Sequence, residues 1–126
     1  MKNSIKLTEN DIEKYRLEID NIDISEKDEI LVEAFVKITK LFENKKLDQF
    51  QLVLAQEINS LHNVLQRSTN LEQLVQKKII FALKYFLKGQ DDIPDDIPGL
   101  GFLDDLTVVD WVIQDIKEQY SHYFLA

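Results

Sequence analysis

The sequence predicts an all-α fold: a single-domain bundle of about five helices, residues 1–126, with one Pro/Gly/Asp-rich loop over 89–104 before the last helix. Three observations carry this expectation. All three glycines and both prolines fall between residues 89 and 101, so the first 88 residues lack the strongest helix breakers. Apolar residues in that stretch recur at spacings of three and four, the period of a helix with one buried face. A chain of 126 residues has the length of one domain that buries a core without cross-links, and with no cysteine it has no disulfide to rely on.

Taken in order, the helices are expected at 9–22, 26–44, 48–67, 71–88 and 105–123. Thr8 or Asn10, Ser25, Asp48 and Asn70 are their candidate N-caps, and Ser25 is followed by an acidic turn of Glu26, Asp28 and Glu29. The first helix has a narrow seam of Ile12, Tyr15, Ile19 and Ile22, which suits a peripheral or partner-packed position. The second carries a stripe of Ile30, Leu31, Ala34, Phe35, Ile38, Leu41 and Phe42, and the third one of Phe50, Leu54, Ile58, Leu61 and Leu65. The fourth, LEQLVQKKIIFALKYFLK, is apolar around most of its second half and should be the most buried; Gly89 stands at its C-terminal cap position. In the fifth, Phe102, Leu106, Val109, Val112, Ile113, Ile116, Tyr120, Tyr123 and Phe124 define the core side, and Asp105 projects into it. Trp111 falls nearly opposite, either covered by another helix or exposed as an anchor for a partner.

The formal charge of −8 is unevenly placed. Between Gly89 and Ile116 there are eight acids (Asp91, Asp92, Asp95, Asp96, Asp104, Asp105, Asp110, Asp115) and no Lys or Arg; elsewhere 15 acids balance 15 bases. Such a segment repels phosphate backbones and attracts basic proteins or divalent cations, so no nucleic-acid partner is expected. The longest purely apolar run is Ile79 to Leu83, and no apolar leader follows the first lysines, so integral membrane association is not expected and a cytoplasmic location is.

Within the loop, GQDDIPDDIPGLGFLDD repeats DDIP. Pro94 and Pro98 exclude the α region for Ile93 and Ile97, so an extended, kinked path is expected. Asp104 is the expected N-cap of the last helix, with Leu103 stapling against Val108, and Asp105 ties down the glycines through backbone amides. Asp91, Asp92, Asp95 and Asp96 form a solvated face, offset by Lys84 and Lys88. The sharper alternative is a hard-cation site for Ca²⁺, Mg²⁺ or Mn²⁺ built by Asp91, Asp95, Asp104 and Asp105. An EF-hand is excluded, because its glycine and closing glutamate are missing. The two histidines, His62 and His122, stand singly and read as helix-surface or boundary residues. No glycine-rich phosphate loop, nucleophile elbow or HExxH is present.

From Tyr85 to Ile113 the chain resembles the YkvA-like family, domain of unknown function 1232. Asp91, Ile93, Pro94, Asp95, Ile97, Pro98, Gly101, Phe102, Leu103, Asp104 and Asp105 match its Asp-Leu-Ile-Pro-Asp-Phe-Ile-Pro-x-x-Gly-aromatic-Leu-Asp-Asp pattern position by position. The resemblance implies no enzymatic activity, since the family's biochemical role is unassigned. Lys88 and Gly89 replace the family's Ser-Pro. Asp92 and Asp96 replace its Leu and Phe, which argues against the membrane-associated hairpin that more hydrophobic relatives suggest.

The leading expectation is therefore a small non-enzymatic interaction module, of antitoxin or immunity type, that docks a basic protein through Asp92, Asp96, Asp110, Trp111 and Asp115 and carries no cofactor. The alternative is a structural or hydrolytic divalent-metal domain using the four family-type aspartates. The narrow seam of the first helix leaves a homodimer open.

Overall fold

A computed structural model describes residues 7–43, 49–67, 71–88 and 100–120, with side chains of the last segment described from 106 to 118. It contains five α-helices: α1 (Glu9–Asp20), α2 (Lys27–Glu43), α3 (Gln49–Arg67), α4 (Gln73–Lys88) and α5 (Leu100–Tyr120), with a 3-10 turn at Ile24–Glu26 leading into α2. The expected all-α bundle is what forms.

The core follows from the apolar stripes. Leu54, Ile58, Leu61 and Leu65 of α3 are fully buried, as are Val75, Ile79, Ile80, Leu83 and Phe86 of α4 and Val108, Val109 and Ile116 of α5. Each such side chain contributes about 1.5–3 kcal/mol through removal from water. Because α4 is apolar around most of its circumference, it can be covered from every side, and it packs against all four other helices. Among the described residues α2 and α5 do not touch; they sit at opposite corners, separated by α3 and α4.

Helix α1 is peripheral, as its narrow seam predicts. Only Tyr15 and Ile19 are buried, against α4. Its start is held by a capping box: Asp11 N–H donates to Thr8 Oγ1 and Thr8 N–H to Asp11 Oδ2, both at 3.1 Å.

Several expectations are corrected. Ser25 does not cap α2. Its N–H donates to Asp23 Oδ1 at 2.9 Å, which holds the Asp23 carboxyl below its ordinary pKa and bends the chain into the 3-10 turn. Helix α1 consequently ends at Asp20 rather than Ile22. Helix α5 begins at Leu100, so Asp104 lies inside it and is no N-cap, and Val108 belongs to the buried core rather than to an N-terminal staple. Gly101 costs a helix only about 1 kcal/mol, less than burying Leu106, Val108 and Val109 further along it returns. Phe35 and Phe42, expected on the core stripe of α2, are exposed, because Ile30, Ala34 and Ile38 already fill its contact with α3 and α4. The capping expectations at Asp48, Asn70 and Gly89 and the extended DDIP path lie outside the described residues.

Candidate functional site: the two flanks of the last helix

Helix α5 presents one flank to α3 and the other to α1 and α4, and each carries a charged cluster. On the α4 side, Lys78 Nζ lies 2.6 Å from Asp115 Oδ2, with the side chains 5% and 14% exposed. Arg16 Nη2 of α1 reaches Asp115 Oδ1 at 3.7 Å. An ammonium and a carboxylate this deep hold one another in place: removing either leaves an uncompensated charge, a loss of about 3–5 kcal/mol. Lys78 falls on the buried face of α4, and its neighbour Lys77 is 100° away around the helix. Lys77 stays outside and donates to the Asp20 carbonyl at the end of α1.

Trp111 lies against this cluster. Its ring is 6.1 Å from Tyr15, tilted by 44°, and the Arg16 guanidinium stands over it at 5.6 Å. Tyr15 also meets Phe81 at 5.5 Å and Tyr85 edge-on at 5.9 Å. Of the two readings of Trp111, cover by another helix is the one realised, and the cover is α1.

On the α3 side, Glu57 faces Asp110. Burial, then the charge of Asp110 and the hydrogen bond between the two, push the Glu57 carboxyl up to about 8, with Lys117 opposing. Glu57 therefore holds a proton at neutral pH and donates it toward the Asp110 carboxyl group. Its Oε1 is buried with no hydrogen-bond partner. Glu57 lines a groove of about 170 Å³ together with Val53, Gln56, Ser60, Ile113 and Lys117.

The expected site residues are thus distributed unevenly. Asp110 is exposed; Trp111 and Asp115 are partly covered and joined through Arg16. Asp91, Asp92, Asp95 and Asp96 lie outside the described residues, while Asp104 and Asp105 fall in the first turns of α5, their side chains outside the description. Among the described residues no three His, Asp or Glu side chains converge as metal ligands, and no helix is long and apolar enough to cross a membrane. Whether Lys84 offsets the acidic loop lies outside the described residues; its ammonium is engaged elsewhere. It bonds both Glu26 oxygens at 3.3 Å and ties the 3-10 turn to α4. His62 is no surface residue: it is 5% exposed, with Nε2 2.9 Å from the Leu31 carbonyl, so that nitrogen carries the proton it donates.

Glu57, Lys78 and Arg16 escaped the sequence reading. Lys78 had a signal, a charge inside an otherwise continuous apolar run. Glu57 and Arg16 had none, since each meets its partner only through tertiary packing.

The segment running from Lys78 through the acidic loop to Trp111 holds both the ion-paired lysine and the covered indole. Residues 78–111 match the family model of DUF1232, a protein of unknown function. The DUF1232 segment reaches further back than the motif at 85–113 suggested, into the buried half of α4. It begins at one member of the α4–α5 ion pair and ends at the ring packed under α1. No curated protein and no solved structure matches the chain.

Proposed function

We propose that this chain is a non-enzymatic interaction module that docks a basic protein through its acidic segment. One observation carries the reading: eight acids and no base between Gly89 and Ile116, against a remainder of zero net charge. Within that segment the acids divide into two groups. Asp115 is engaged by Lys78 and Arg16 and Trp111 by α1, so both brace α5 from behind. Asp110 hydrogen-bonds Glu57 yet keeps an exposed carboxylate, and with Asp92 and Asp96 it is assigned to meet the partner. Clustered like charge accelerates encounter with an oppositely charged protein and makes it sensitive to salt.

The test uses a synthetic lysine-rich peptide as the basic probe, with affinity read by fluorescence anisotropy at about 50 and 300 mM salt. The triple variant D92N/D96N/D110N is compared with E9Q/E13Q/E18Q, which removes three exposed charges from α1. Weaker binding and a flatter salt dependence in the first triple alone are expected. Equal weakening in both overturns a localised docking face and leaves only net charge.

A further inference from the structure

A second surface lies on the opposite corner of the bundle. Helix α2 exposes Val32 (65%), Phe35 (59%), Val36 and Phe42, with Thr39 exposed between them. Positions 32, 35, 39 and 42 follow the three-and-four spacing of a helix seam. This seam continues into a groove of about 320 Å³ between α2 and α3. The groove is lined by Leu31, Val32 and Phe35 on one side and by Asn59, His62, Asn63 and Gln66 on the other, with no charged residue.

We infer that the exposed seam of α2 is the contact face of a homodimer, two copies meeting antiparallel about a two-fold axis near Val36. The charges beside the seam identify a second copy as the occupant. Glu33 and Lys40 are exposed on one flank of α2, on either side of Val36, and neither has an ion-pair partner among the described residues. A two-fold axis perpendicular to antiparallel helices sets each flank against the same flank of the partner, with the direction reversed. Glu33 of each copy then meets Lys40 of the other, so one helix supplies both halves of two reciprocal pairs. The seam itself carries no charge that would face its own image. Asp104, Asp105, Asp110 and Asp115 belong to α5, which among the described residues does not touch α2, so these acids stay away from the proposed contact face. The peripheral helix α1 takes no part, which moves self-association from the first helix, where its narrow seam suggested it, to the second.

The chain is tested by sedimentation equilibrium between about 5 and 500 µM, a range that spans micromolar dissociation. The wild type is expected to approach twice its 14.8 kDa mass. Phe35→Glu should stay monomeric with unchanged circular dichroism, and with an unchanged unfolding midpoint at concentrations too low for the wild type to dimerise, since Phe35 lies outside the core. Glu33→Lys and Lys40→Glu should each weaken association roughly tenfold, and the double exchange E33K/K40E should restore it, because the reciprocal pairs re-form with signs reversed. A wild type that remains monomeric throughout overturns the inference and leaves the seam to a different protein. So does a dimer indifferent to Phe35→Glu, or single exchanges whose effects add without rescue. None of these outcomes alters binding of the lysine-rich probe by the acidic segment.

Discussion

Glu57 is the residue whose environment most changes its chemistry. Its folded pKa of about 8 lies above the ordinary value of 4.5, so the folded chain holds a proton that the unfolded chain has released between those two values. Stability from this group is therefore greatest below about pH 4.5 and falls as pH rises toward 8. Glu57→Gln keeps the shape and the hydrogen bond to Asp110 but removes the ionisation. Relative to wild type, the glutamine variant should gain roughly 1–2 kcal/mol between pH 5 and pH 8, after discounting for partial exposure. Urea unfolding of both proteins across that range checks it, and parallel curves would exclude a protonated Glu57. Asp23 acts in the opposite sense. Its lowered pKa adds stability above the ordinary 3.8 that is lost as pH falls below it, which confines its effect to acid.

At the scale of elements, α1 is the helix most easily released. It rests on two buried residues, a capping box, the Lys77 bond to its last carbonyl and the Arg16 contacts to α5. Thr8→Ala removes the Oγ1 that accepts from the Asp11 N–H while leaving the backbone N–H of residue 8 to donate to Asp11 Oδ2, and should destabilise α1 by about 1 kcal/mol, a roughly fivefold faster hydrogen exchange over Glu9–Asp20 if opening is local. Trp111 is the only tryptophan in the chain and lies beneath this helix, so its fluorescence should become more accessible to acrylamide in the same variant. Faster exchange spread evenly over all helices would instead mean that α1 unfolds only with the bundle. By contrast, α4 is anchored at both ends of its buried half. Lys78 pairs with Asp115, and Lys37 donates to the Phe86 carbonyl at 2.6 Å while standing over the Phe86 ring, satisfying a C-terminal carbonyl that the helix leaves without a partner.

For the whole molecule, the distribution of charge separates two candidate surfaces: an acidic one that ends in α5 and an uncharged seam on α2, two helices that do not touch among the described residues. Docking through the first predicts that metal-stripped protein unfolds at the same temperature with and without millimolar Ca²⁺, Mg²⁺ or Mn²⁺. A site binding only the folded state would add about 2.7 kcal/mol at a hundred times its dissociation constant, which a thermal melt resolves readily. A rise in midpoint abolished by Asp95→Asn or Asp105→Asn would replace the docking reading with a divalent-metal site.

The sequence by itself determined the class of fold, the rank of α4 as the most buried helix, the peripheral place of α1 and the location of the charge. Each depends on a local regularity: the absence of Gly and Pro before residue 89, the three-and-four spacing of apolar side chains, or a simple count of acids and bases. Boundaries were legible to within a few residues except at Leu100, because Gly101 and the acids after it read as loop while the helix runs through them. Tertiary structure alone decided which of the acids are engaged. Nothing in the chain marks Asp115 as the partner of Lys78, Trp111 as the floor beneath Arg16, or Glu57 as a protonated neighbour of Asp110. Pairing and desolvation are properties of residues brought together from distant positions, and they are set by how the helices are arranged rather than by any pattern along one of them.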